Sequence, residues 1–225
     1  MEISSSPTYT GPTPGSPEQV TAIMQELRRM YPGAKCSLNF SNPLELLVAT
    51  ELSAQCTDER VNIVTAGLFK KYRAVEDYAA VSQEEFEQDI KSTGFYRNKA
   101  KNIRAATQRI ITDFGGVVPR TMNEIMTLPG VARKTANVVL GNAYGIVEGV
   151  VVDTHVGRLS RRFGWTTSED PVKVEQDLMR ILPRQEWLDA SHLMIYHGRA
   201  LCVARKPLCA RCALVKLCPS AFVVG

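Results

Sequence analysis

One pattern repeats along this chain and limits its fold more than any other: a short polar residue, a proline or carboxylate close behind it, then apolar residues three and four apart. Ser16-Pro17 with Gln19 precedes Val20, Ile23, Met24 and Leu27, and Asn42-Pro43 with Glu45 opens the run PLELLVATELSAQ. Ser82 with Glu85, Thr121 with Glu124, and Asp170-Pro171 repeat the arrangement. Each marks a helix start. The polar side chain takes an orphan amide of the first turn, proline fits where its missing N–H costs nothing, and a Glu or Gln three places on completes a capping box. Residues 98–114 carry Ile103, Ala106 and Ile110 at helical spacing and stop at Gly115-Gly116, where glycine supplies the left-handed residue that closes a helix. Only IVEGVVV, residues 146–152, reads as extended, and it is too short and isolated to build a sheet. The sequence therefore predicts an all-α fold of roughly ten short helices, with no internal repeat.

At 225 residues, 44% hydrophobic and 22% charged, the chain can build one large core or two smaller ones. No apolar run approaches the ~20 residues of a membrane span, and the N-terminus lacks a secretory or transit pattern. The expectation is a cytoplasmic protein, in a bacterium one that acts at the nucleoid. A net charge of +4 suits a polyanion but is also common among proteins that bind none. Residues 1–17, MEISSSPTYTGPTPGSP, are mostly Ser, Thr, Pro and Gly, too polar to offset their ordering entropy, and predict a disordered leader.

Between a helix ending near Thr127 and another running from about Ala132 to Tyr144 lie only Leu128, Pro129, Gly130 and Val131. Proline cannot continue the first helix, glycine lets the backbone turn close to another molecule, and the first amides of the second helix point outward. With the helix dipole behind them, those amides suit a DNA phosphate; an ordinary loop between packed helices is the competing reading. Lys134 sits in the first turn of the second helix, where the dipole disfavours a positive charge. Partial desolvation there would favour the neutral amine that a Schiff-base nucleophile needs, while a plain surface charge or a phosphate partner explains the same lysine. Asp153, ahead of THVGRLSRRFG, reads as a helix cap whose carboxylate could also stand beside a reacting sugar. His155 reads as a packing group and Arg158 as a phosphate ligand.

Six cysteines without a secretory signal argue against a disulfide framework. Cys202, Cys209, Cys212 and Cys218 follow the spacing C-x6-C-x2-C-x5-C, a strong metal signal that leaves zinc and an iron–sulfur cluster both open. From Arg199 onward there are five basic residues, Arg199, Arg205, Lys206, Arg211 and Lys216, and no acidic ones, so the cysteine loop should also face phosphate. Cys36 and Cys56 read as plain buried residues.

Taken together, LSAQCTD (52–58), GFYRNKA (94–100), LPGVARKTANVV (128–139), VVDTHVGR (151–158), YHGRALC (196–202) and the cysteine spacing resemble the endonuclease III family. These are DNA glycosylases of the helix-hairpin-helix superfamily with an associated abasic-site lyase activity. The resemblance covers nearly everything after residue 17. It implies a [4Fe-4S] cluster on Cys202, Cys209, Cys212 and Cys218, with Lys134 as Schiff-base nucleophile and Asp153 as the assisting carboxylate. It implies two helical domains, residues 37–146 forming a six-helix domain and residues 18–36 with 147–225 forming the cluster domain, with the lesion pocket in the cleft between them. The substrate would be double-stranded DNA carrying oxidised or reduced pyrimidines such as thymine glycol, or abasic sites, met by a monomer.

By the same resemblance Gln55 would fill the gap left by an extruded nucleotide, Phe95 would wedge the other strand, and Asp58 would belong to the lesion pocket. Leu128, Gly130, Ala132, Arg133, Arg205 and Lys206 would contact DNA. Two positions depart from the family pattern, which has leucine more often at Phe95 and glycine at Ala132. A glycosylase without lyase activity, such as the adenine-mismatch enzyme, is a relative to weigh. Lys134 and the end of the chain at Gly225, which leaves no room for that enzyme's extra C-terminal domain, argue against it. A catalytically weak iron–sulfur protein that only binds DNA is the alternative from outside enzymology.

Overall fold

A computed structural model describes residues 9–223 and contains, among them, eleven α-helices, three short 3-10 turns and no strand. The polar residues singled out by the sequence pattern do the capping. Side chains of Ser16, Asn42, Ser82, Thr121 and Asp170 each accept a backbone N–H of the helix that follows. Each such cap is worth about 1 kcal/mol. The chain divides into two compact units, Cys36–Glu148 and Met1–Lys35 with Gly149–Gly225.

The Cys36–Glu148 unit holds α2 (Pro43–Leu52), α3 (Asp58–Lys71), α4 (Val75–Ala80), α5 (Gln83–Ile90), α6 (Tyr96–Phe114), α7 (Met122–Ile125) and α8 (Arg133–Tyr144). Helix α2 is apolar all round, and Leu46, Leu47, Val48, Ala49 and Leu52 are all buried, which places it at the centre, against α3, α6 and α8. Helices α4 and α5 close the far side against α6, with Tyr72, Tyr78 and Phe86 packed ring to ring at centroid separations of 5.1 to 5.9 Å. One polar tie runs through this core. Buried Lys99 donates to the carbonyl oxygens of Leu52 and Thr93, 2.8 Å each, and so closes the end of α2. Cys36 and Cys56 are half-buried at the edge of this core and not inside it as expected, because both lie in loops flanking α2.

The other unit is built from α1 (Pro17–Met30), α9 (Thr154–Arg162), α10 (Pro171–Ile181) and α11 (Trp187–Ala200), with the cysteine loop after them. Val20, Ile23, Leu27, Val156, Leu159, Phe163, Leu178 and Met194 form its core. Gln19, expected to complete the capping box, is fully buried. Its amide accepts from Gly15 N and Trp165 Nε1 and donates to the carbonyls of Phe163 and Leu217. The expected leader needs correction over its described part. Residues 1–8 lie outside the described residues, but the Tyr9 hydroxyl donates to Pro12 O at 2.6 Å and Leu217 O at 3.3 Å. Composition argued for disorder here, and one aromatic hydroxyl meeting a loop carbonyl gives the segment a seat.

Candidate nucleic-acid interface and active site

The hairpin follows from three local facts. Leu128 N–H bonds Ile125 O and Val131 N–H bonds Leu128 O, which folds the chain back at once after α7. Gly130 has φ +83°, a region closed to most residues. A side chain there would also meet Glu51 Oε2 at 2.7 Å and Asn102 Cβ at 2.9 Å, so glycine is needed for space as well as for angle. Leu128, expected at the DNA surface, is instead 2% exposed in the core, since the turn that presents Gly130 points its apolar neighbour inward.

Helix α8 begins at Arg133, with Ala132 in the capping place at φ −90°, ψ 169°. That backbone is extended and not left-handed, so alanine sits there without strain, and it brings no side-chain oxygen to the first turn. Arg133 is half-buried. Lys134 stands in the first turn and is exposed, so the free protein does not supply the desolvation that sequence reasoning looked for.

Beside the hairpin lies a cavity of about 220 Å³ whose walls include Glu51, Gln55, Phe95, Asn98, Asn102 and Gly130. Two of these residues hold left-handed backbone without being glycine, Gln55 at φ 54° and Phe95 at φ 48°. Each costs on the order of 1 kcal/mol, and such strain gathers where a side chain must be aimed. Phe95 is 64% exposed, an aromatic ring held out into solvent. Gln55 is exposed as well. Asp58 opens α3, with the Ser37 hydroxyl donating to its Oδ2 at 2.7 Å.

Glu51 was missed by sequence reasoning, although a lone carboxylate in the apolar run LLVATEL was the signal available. It is almost fully buried, burial alone pushes its carboxyl up to about 8, and its Oε1 has no hydrogen-bond partner. At neutral pH it is therefore an acid in its uncharged form.

In the other unit Asp153 caps α9. Its Oδ1 accepts from both His155 N and Val156 N at 2.8 Å, which leaves Oδ2 clear of the capping bonds. Arg158, expected at a phosphate, is turned inward. Its guanidinium donates to the carbonyls of Cys202 and Gly198 at 3.0 Å, because α9 packs on α11 closely enough that a side chain on Gly198 would meet His155 Cβ at 2.9 Å. One turn on, Arg162 donates to Cys202 Sγ at 3.1 Å and to Val203 O at 2.8 Å. The helix that presents Asp153 is thus fastened to the cysteine loop by two arginines.

Cys202, Cys209, Cys212 and Cys218 line one largely apolar pocket, with His197 Nε2 lying 3.5 Å from Cys212 Sγ. Among the described residues no group of three or more ligating side chains is closed into a metal-holding arrangement. The donor set nevertheless suits a metal centre. Burial raises the Cys212 thiol and pushes that of Cys218 up to about 11, so four thiolates could share this apolar site only around compensating positive charge. Arg205 and Lys206 stand exposed on the same loop.

Residues 48–184 match the model of the HhH-GPD superfamily base excision DNA repair proteins. The chain is 56% identical to endonuclease III of Synechocystis sp. over 91% of its own length and 93% of that protein, and 51% identical to endonuclease III of Bacillus subtilis over 89% and 92%. Among solved structures it is similar to a non-covalent endonuclease III–DNA complex and to a trapped endonuclease III–DNA covalent intermediate with an estranged adenine. Both superpose with TM-score 0.88 at 48% identity over 92% of this chain and 97% or 98% of theirs. With an all-helical fold, the hairpin and this degree of identity, the chain belongs to the endonuclease III family of the HhH-GPD superfamily.

Proposed function

We propose that Lys134 and Asp153 carry the chemistry of this chain, a base excision repair DNA glycosylase with associated abasic-site lyase activity. The observation that carries the reading is the placement of Lys134 in the first turn of α8, directly after a hairpin whose glycine is required by both angle and space. The hairpin takes a DNA phosphate on its backbone, which brings the sugar–phosphate chain to the lysine. DNA bound at the hairpin would cover Lys134, which is exposed in the free protein, and hold its amine beside the sugar.

In this reading the Lys134 amine attacks C1′ of an extruded nucleotide bearing an oxidised or reduced pyrimidine such as thymine glycol. The C1′–N bond breaks, the base leaves with a proton, and the amine and sugar become an imine after ring opening. Loss of a C2′ proton then expels the 3′ phosphate by β-elimination and nicks the strand. Asp153 Oδ2 stabilises positive charge at C1′ or accepts the amine proton. Gln55 enters the space vacated by the nucleotide and Phe95 wedges beside its former partner, which gives a use to two strained backbones and an exposed ring. Arg133, Arg205 and Lys206 add phosphate contacts.

Cys202, Cys209, Cys212 and Cys218 would hold a [4Fe-4S] cluster, which when bound cross-links the loop that carries Arg205 and Lys206. Arg158 and Arg162 fasten that loop to the helix of Asp153.

Strand nicking on a duplex with one thymine glycol tests the reading. The wild-type chain nicks at the lesion, and Lys134→Ala loses nicking by roughly 10⁴-fold or more while its affinity for the duplex changes little. A Lys134→Ala chain that still nicks overturns the assignment.

A further inference from the structure

The hairpin rests on a group that the chemistry above leaves unused. Glu51 Oε2 lies where a side chain on Gly130 would have to go, and Asn102 fills the other side of the same space. The carboxyl is therefore the surface on which the turn sits. It is nine-tenths buried, its Oε1 is unpartnered, and it borders the cavity that reaches Gln55 and Phe95. A phosphate on the turn and a charge on this carboxyl would face each other across a single layer of backbone.

We propose that Glu51 is a positioning residue for the hairpin: its uncharged carboxyl backs the Gly130 turn while DNA is bound, and its ionisation weakens the grip on phosphate. The inference rests on the reading that the hairpin holds a DNA phosphate. The neighbours leave the carboxyl without a charged partner of its own. From α6 it faces Asn98 and Asn102, which are neutral, and Lys99, whose ammonium is turned to Leu52 O and Thr93 O. From its own helix and the turn beyond come Thr50 and Gln55, and from α8 Thr135, all uncharged. Arg133 and Lys134 stand in the same first turn of α8 as Thr135, but neither lines the cavity. Burial is the sole cause of the carboxyl's raised pKa, about 8, so the change of charge falls in an accessible range.

The test is the dissociation constant of the full chain for an undamaged duplex, read between pH 7 and pH 9 at fixed salt, for wild type, Glu51→Gln and Glu51→Leu. Affinity of the wild type falls about tenfold more across that range than affinity of Glu51→Gln, which cannot ionise. Glu51→Leu, also uncharged, follows Glu51→Gln in slope even if its absolute affinity or melting temperature differs, so a variant that is merely destabilised does not mimic the effect. Superimposable slopes for wild type and Glu51→Gln overturn the inference while leaving the functional reading intact. No binding of duplex by the wild type at pH 7 overturns that reading, and this inference with it.

Discussion

Helices α8 and α9 meet the same physical problem in opposite ways. Each begins with backbone amides that no carbonyl of its own helix can satisfy. At α9 the chain answers internally, with Asp153 Oδ1 taking two amides at 2.8 Å. At α8 the capping place holds Ala132, which has no oxygen to offer, and the turn before it holds a glycine at which a Cβ would meet Glu51 Oε2 at 2.7 Å. One start spends a carboxylate and presents negative charge. The other has no side-chain cap, and Lys134 stands in its first turn. In the proposed reaction the α8 start would meet the phosphate and the Asp153 carboxylate would meet the charge developing on the sugar.

The comparison is broken most severely at Asp153. Asparagine caps a helix nearly as well as aspartate but carries no charge. Asp153→Asn should therefore lower the excision rate by roughly 10²- to 10⁴-fold with an unchanged melting temperature, whereas Asp153→Ala should lose the rate and also about 1 kcal/mol of stability. Calorimetry beside single-turnover kinetics separates the two; equal melting losses in both variants would mean that the charge and not the cap holds α9. Gly130→Ala attacks the other start. Its Cβ has no room against Glu51 and Asn102 and its φ is unfavourable, so a loss of about 1–3 kcal/mol should accompany weaker duplex binding, measured by denaturant unfolding and by fluorescence anisotropy.

Much of this contrast was legible in the sequence, and the reasons are local. A cap is a matter of one side chain and the next three amides, so Ser16, Asn42, Ser82, Thr121, Asp153 and Asp170 could be named in advance. The glycine turn at 130 was legible for the same reason. What was not legible depends on distant packing. Glu51, Lys99 and Gln19 belong to residue types usually met by water, and each is buried because a partner far along the chain closes over it. Leu128 and Arg158 read as DNA contacts in the sequence, yet the backbone turn sends one into the core and the packing of α9 on α11 sends the other to carbonyl groups. The left-handed backbones at Gln55 and Phe95 leave no trace in residue type, since neither is a residue that favours them.

Two further effects sharpen the account. The unfolded chain ionises Glu51 near its ordinary value of 4.5, while the folded chain keeps the proton to about 8. Rising pH between those values thus favours the unfolded state by up to about 1.4 kcal/mol per unit. Glu51→Gln escapes this, so its melting temperature should exceed that of wild type at pH 8, and the gap should shrink as pH falls toward 5; a gap that stays constant with pH would contradict burial of a neutral acid. Phe95→Gly should relieve the left-handed strain and cost little stability, within about 1 kcal/mol of wild type in either direction, while excision slows because the wedge is gone. Thermal unfolding paired with single-turnover excision checks it, and unimpaired excision would remove Phe95 from the interface.

The central claim is that Lys134 forms a covalent bond to the damaged sugar. Borohydride reduces an imine and so fixes protein to DNA. Mixing the full chain with a duplex carrying one thymine glycol, adding borohydride and resolving the products by denaturing electrophoresis reads that bond directly. The account predicts a protein–DNA adduct, with Lys134 as the modified residue by peptide mass mapping, and its loss in Lys134→Ala. No adduct from a preparation that binds the duplex and releases the base, or an adduct mapped to another amine, would contradict it.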